Sequence, residues 1–155
     1  MARNHITAKD IMERKVVTLA ESASLTHAWM TLIEHRISGA PVVSESGELA
    51  GVVSQADLLR VAIEDEIEDL PARSYYLDAP YHEFEDGGHF SERFGNTTVE
   101  EIMTESVITA SPNDNIASLA VAMRRNHVHR LVIVERKKVV GIISALDLLG
   151  VLEDH

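Results

Sequence analysis

Two Ser-x-x-Asp motifs, Ser54 with Asp57 and Ser144 with Asp147, combine residue types and spacing that could do chemistry. Each follows a β-branched run and opens a helical pattern, and two roles fit that position. In a capping box the serine oxygen accepts from a free helix amide while the acid three residues on reaches back to the serine backbone. In a binding site the same junction turns unpaired amides and the positive end of a helix toward a cleft, which suits the polar part of a nucleotide. There the Asp carboxylate would accept hydrogen bonds from a ribose diol, leaving phosphate to hydroxyls, amides and a cation. His129-Arg130 supplies that cation at the entrance to the run Leu131-Val132-Ile133-Val134. Arg engages phosphate bidentately, and His donates one hydrogen bond or carries charge when protonated. The plainer alternative places both on a solvated sheet edge. Thr18 and Thr109, expected at the ends of short strands, can present hydroxyls to the same cleft, although Thr is also simply a good strand residue.

Other chemistry is poorly supported. His82, Glu83, Glu85, Asp86 and His89 are plausible metal-ligand types, but their spacing fits no regular helix or strand and reads by default as an acidic solvated loop. Helical spacing assigns Trp29 and Met123 to a core. No nucleophile-base pair, Gly-x-Ser-x-Gly elbow, His-Glu-x-x-His motif or phosphate loop of the Gly-x-x-x-x-Gly-Lys type is present. The expectation is a binding protein without catalytic residues, metal or catalytic cofactor.

The elements that would position these residues come in two copies. Thr7-Ala8-Lys9-Asp10-Ile11-Met12 recurs as Thr98-Val99-Glu100-Glu101-Ile102-Met103 at an offset of 91. Gly51-Val52-Val53-Ser54-Gln55-Ala56-Asp57-Leu58-Leu59 recurs as Gly141-Ile142-Ile143-Ser144-Ala145-Leu146-Asp147-Leu148-Leu149 at an offset of 90. One residue is therefore lost between these blocks, and the sequence suggests Ile37 to Pro41 against Val128 to Leu131. Repeated blocks in constant order mean two copies of one supersecondary unit. Each copy reads as a strand (Val16 to Leu19; Val107 to Thr109), an amphipathic helix (Leu25, Ala28, Trp29, Leu32, Ile33; Ile116, Leu119, Ala120, Met123), a hairpin and a closing helix. Ser22 or Ser24 would cap the first helix, and Pro112 and Asp114 would mark the start of its counterpart. The fold class is α/β (α+β), a tandem of β-α-β-β-α repeats, each leaving apolar surface for the other to cover. Residues 1–70 form the first repeat, 71–97 an acidic aromatic insertion or linker, and 98–155 the second repeat. The aromatics Tyr75, Tyr76, Tyr81, Phe84, Phe90 and Phe94 favour packing of the insertion over complete disorder.

Composition narrows the partners. With 155 residues and 45% hydrophobic content the chain can build a real core. The absence of cysteine removes disulfides and thiolate chemistry. No signal-like or membrane-length apolar run is seen, so a cytoplasmic location without membrane partners is expected. A net charge of −11 disfavours nucleic acid. Most of that charge sits between Val61 and Thr98, where ten acids face two Arg.

With these blocks quoted, the chain resembles the CBS domain pair, or Bateman module. The stretches Glu34 to Val43 with Gly51 to Leu58, and Val128 to Val134 with Gly141 to Leu148, match its two repeats, as do the leading Asp10-Ile11-Met12 and Glu101-Ile102-Met103-Thr104. The resemblance implies a pseudo-twofold pair whose clefts hold an adenosine-containing ligand: AMP, ADP or ATP, with S-adenosylmethionine ranked below them. It implies Thr18, Ser54, Asp57, Thr109, Ser144 and Asp147 as polar ligand contacts, with Asp on ribose. It also implies His129 and Arg130 on phosphate, with Ile37, Ala40 and Val128 flanking adenine. A homodimer and an unidentified effector protein are the implied partners. The competing expectation is a structural or protein-interaction module without nucleotide, using the insertion as its contact surface.

Overall fold

A computed structural model describes residues 5–63 and 92–153. The proposed helix extension at 64–70, most of the 71–97 insertion and the metal candidates His82, Glu83, Glu85, Asp86 and His89 lie outside the described residues.

The chain runs α1 (Ala8–Ile11), β1 (Leu19–Ala20), α2 (Leu25–His35), β2 (Gly39–Val43), β3 (Leu49–Ser54) and α3 (Gln55–Ile63), and then α4 (Glu92–Asn96). After a 3-10 turn at Val99–Glu101 come β4 (Thr109–Ala110), α5 (Ile116–Asn126), β5 (Arg130–Glu135), β6 (Lys138–Ser144) and α6 (Ala145–Glu153). The repeated β-α-β-β-α order is thus present. Each copy is a three-stranded sheet in which the first strand pairs parallel with the second and the second pairs antiparallel with the third.

Four local expectations need correction. The β-branched runs at 16–18 and 107–108 lie outside the strands, so Thr18 precedes β1 and Thr109 opens β4. Only Leu19–Ala20 and Thr109–Ala110 pair with the next strand, so propensity without a partner gives no ladder at the earlier positions. Second, the lost residue belongs to the hairpin turn: Val42 pairs with Gly51 as Ile133 pairs with Gly141, and Val43 with Leu49 as Val134 with Val139. The counterparts of His129 and Arg130 are therefore Ser38 and Gly39. The shorter turn places Arg136 and Lys137 at φ 52° and 69°, the left-handed pair typical of a two-residue hairpin turn. Third, Ser24 caps α2 through His27 N–H, but α5 is capped by Asn115 through Ser118 N–H. Asp114 instead accepts from Ser111 N–H. Fourth, residues 92–96 of the expected irregular insertion are helical, with Phe94 buried in the core; one turn is too short to show periodicity.

Contacts group residues 5–16 with 107–153 as unit one, and residues 17–63 with 92–106 as unit two. The leading segment of each repeat therefore packs with the body of the other. In unit one Glu13 bridges Ile142, with N–H to O distances of 2.9 and 3.0 Å, and Thr7 bridges Asn115. In unit two Thr104 bridges Val52 at 2.9 Å in both directions, and Thr98 bridges Ser24. The core of unit two gathers Leu19, Ala40, Val42 and Val53 from the sheet with Leu25, Trp29, Leu32 and Leu58 from α2 and α3, and Phe94 and Val99. Fully burying such a side chain contributes roughly 1.5–3 kcal/mol.

Candidate functional site

Both Ser-x-x-Asp motifs are capping boxes. Ser54 N–H and its hydroxyl donate to Asp57 Oδ2 at 2.9 and 3.0 Å, and Asp57 N–H donates to Ser54 Oγ at 3.3 Å. Ser144 N–H donates to Asp147 Oδ2 at 2.8 Å, and Asp147 N–H donates to Ser144 Oγ at 3.1 Å. The first amide of each helix is also taken, since Gln55 N–H reaches Ser38 O and Ala145 N–H reaches His129 O, both at 2.8 Å. At each junction three amides are thus engaged, those of Ser54, Gln55 and Asp57 and those of Ser144, Ala145 and Asp147, which leaves fewer donors for a phosphate than an uncapped helix start offers. Capping uses one oxygen of a carboxylate that has two. Among the described residues, Asp147 Oδ1 accepts no hydrogen bond, whereas Asp57 Oδ1 takes Arg60 Nη1 at 3.3 Å. Burial raises the Asp57 pKa above its usual 3.8, against the opposing pull of the Ser54 hydrogen bonds and Arg60.

Strand alternation sorts the remaining candidates. In unit one Arg130 pairs directly with Ser144, Val132 with Ile142, and Thr109 with Val132. Thr109, Arg130 and Ser144 therefore share one face of the sheet, at the edge where Asp147 caps the end of β6. Thr109 is exposed and Arg130 partly so. The equivalent set in unit two is Thr18, Ser54 and Asp57, with Gly39 in the place of Arg130, so its strand supplies no cation at that position. Ser54 is buried there, at 2% exposure.

The opposite, helix-bearing face holds the rest. Ala40 is fully buried inside the unit-two core and offers no surface to a base, which corrects its assignment as an adenine contact. Ile37 is partly buried against the same core. Val128 and His129 line a groove of about 740 Å³ together with Ala120, Met123, Arg124, His127, Ala145, Leu148 and Leu149. His129 precedes Leu131 by two residues and Arg130 does not, so the expected His129-Arg130 pair is divided between the two faces. Arg60 was not singled out from sequence, although its spacing of three from Asp57 on a helix is a readable signal. Among the described residues no group of three or more His, Asp or Glu is arranged to hold a metal, and no helix is long and apolar enough to cross a membrane.

Known proteins share this fold. The model of the CBS domain family matches residues 8–64 and 99–154. The chain belongs to the CBS domain family. A CBS domain pair is a regulatory, non-catalytic module. The uncharacterized protein MJ1426 of Methanocaldococcus jannaschii is 30% identical over 151 residues, covering 93% of this chain and 89% of that protein. Other curated relatives are longer: the chain spans 42% of MJ1225 from the same organism and 25% of a homoserine O-acetyltransferase of Methanosalsum zhilinae. Among solved structures, the CBS domain of a CBS domain containing membrane protein from Sphaerobacter thermophilus is similar at 32% identity and TM-score 0.71, over 96% of this chain and 89% of that one. Two others share the fold at lower identity. The CBS domain pair of MJ0100 in complex with 5'-methylthioadenosine and S-adenosyl-L-methionine matches at 23% and TM-score 0.66, over 96% of this chain and 97% of that one. CBSX2 in complex with AMP matches at 22% and TM-score 0.67, over 96% of each chain.

Proposed function

We propose that this CBS pair senses an adenosine-containing nucleotide, AMP, ADP or ATP, and holds it without transforming it at Thr109, Arg130, Ser144 and Asp147. The observation that carries the reading is the carboxylate of Asp147. Its Oδ2 caps Ser144, and its Oδ1 accepts nothing among the described residues, so it suits a ribose diol. Arg130, across the strand pair from Ser144, supplies charge for phosphate and Thr109 a hydroxyl. In unit two the corresponding residues are Thr18, Ser54 and Asp57, and Ile37 belongs to that unit. The AMP in CBSX2 and the adenosine compounds in MJ0100 support this ligand class over others. Binding then biases an assembly, because a ligand that prefers one arrangement shifts the population toward it. The proposed assembly is a homodimer read by an effector protein.

Calorimetric titration of the purified chain with AMP and ATP tests this reading. Saturable binding weakened about tenfold or more by Asp147→Asn is expected, on the scale of one charge-assisted hydrogen bond. The capping role of both acids favours a second reading, a structural or protein-interaction module without nucleotide. Failure of AMP, ATP and S-adenosylmethionine to bind would decide for it.

A further inference from the structure

The two capping acids differ in what stands one helical turn beyond them. Ser54, Asp57 and Arg60 in unit two correspond, at the same offset of 90, to Ser144, Asp147 and Gly150 in unit one. Arg60 Nη1 donates to Asp57 Oδ1 at 3.3 Å, while Oδ2 of the same carboxylate takes both the Ser54 amide and the Ser54 hydroxyl. Both oxygens of Asp57 are thus engaged, and its side chain keeps only 11% of its surface exposed. At Asp147 only Oδ2 is engaged among the described residues. Gly150 has no side chain to reach Oδ1, and a Cβ built on it would meet nothing within 4 Å.

We infer that Arg60 is a latch that closes the Asp57 carboxylate to a sugar diol, whereas Gly150 leaves Asp147 open, so that one of the two acid sites takes the nucleotide. This rests on the nucleotide reading above and decides its stoichiometry. A diol binds a carboxylate by donating two O–H groups, and at Asp57 it must displace a guanidinium that is itself a charge-assisted donor. The Arg60 side chain is 32% exposed, so the latch faces solvent on one side.

The test is calorimetric titration of AMP into the full chain and its variants, with circular dichroism melting to confirm folding. The wild type is expected to bind one AMP per chain, weakened about tenfold or more in Asp147→Asn and kept in Asp57→Asn. Arg60→Met, which removes the donor and keeps the stem, is expected to add a second AMP, and the double variant Arg60→Met/Asp57→Asn to lose it again. Gly150→Arg rebuilds the ion pair beside Asp147 and is expected to weaken AMP about tenfold, the scale of one charge-assisted bond. Two AMP per wild-type chain, binding that depends on Asp57, an unchanged stoichiometry in Arg60→Met, or unchanged or tighter binding in Gly150→Arg overturns the latch while leaving a nucleotide site. Binding that ignores both Asp variants overturns the latch and the assignment to Asp147, and no binding to any variant sinks the nucleotide reading and the latch with it.

Discussion

Met12 rests on the backbone of Gly141, so close that a Cβ at Gly141 would collide with the Met12 sulfur and lie 2.7 Å from its Cγ. Met103 stands in the same relation to Gly51, where an added Cβ would lie 2.8 Å from its Sδ and 2.7 Å from the Thr104 carbonyl oxygen. The repeated Ile-Met and Gly-β-branched blocks are therefore two halves of one contact, each supplied by a different repeat. Gly51→Ala and Gly141→Ala are both expected to destabilise, by about 1–3 kcal/mol as overpacking does. Gly51→Ala should cost more, because it meets a backbone oxygen in addition to a flexible thioether. Urea unfolding of both variants measures the difference, and equal midpoints would refute the ranking.

The hairpin turn of unit one holds Arg136 and Lys137 at positive φ, a conformation that costs most residues roughly 1–2 kcal/mol each. The double substitution Arg136→Asn/Lys137→Gly removes that strain without touching the sheet, since an Asn-Gly pair is the one such a turn favours. The expected outcome in a thermal melt is a midpoint higher by a few degrees, in line with about 1–2 kcal/mol for a small protein. A lower midpoint would show that these two side chains stabilise the turn more than their backbone strains it.

The pH dependence of stability has opposing contributions. Asp10 and Glu101 have pKa values held below 3.8 and 4.5 by the amides and hydroxyls of Thr7 and Thr98. Their contribution is therefore present above those values and fades as acid protonates them in the folded state. Asp57, raised by burial, contributes in the opposite sense: its share is complete below 3.8 and is lost as pH rises through its higher folded value. As pH falls from about 6 to about 2.5, Asp57→Asn should thus fare worse relative to wild type over the upper part of the range, and Asp10→Asn should recover below about 3.8. Melting curves across that range report the crossing.

Helix α6 exposes Leu146, Leu149 and Leu152 at 69%, 56% and 50%, spaced by three so that they form one stripe. The proposed homodimer would cover this stripe. Leu149→Glu is expected to shift sedimentation from dimer to monomer while leaving the circular dichroism spectrum intact. A monomeric wild type would refute it.

Much of the architecture was legible because it depends on local patterning. The offset of 90 to 91 revealed the doubling, helical spacing located α2 and α5, and Ser54-Gln55 and Ser144-Ala145 marked the strand-to-helix junctions to the residue. The single-residue loss was misplaced because the unmatched stretch between repeated blocks carries no register, while hydrogen-bonded pairing in the hairpin does. Phe94 looked like one aromatic among several in an acidic segment, and only burial distinguishes it.

The sequence by itself determined the repeated unit, its helices and hairpins, and the residue types gathered at each junction, since these follow from propensity and periodicity along neighbouring positions. Tertiary structure alone decided which leading segment packs on which sheet, which face His129 and Arg130 occupy, and that Arg60 holds Asp57 while one oxygen of Asp147 accepts nothing among the described residues. Those outcomes turn on strand register and on distances between side chains, and a linear spacing does not encode them.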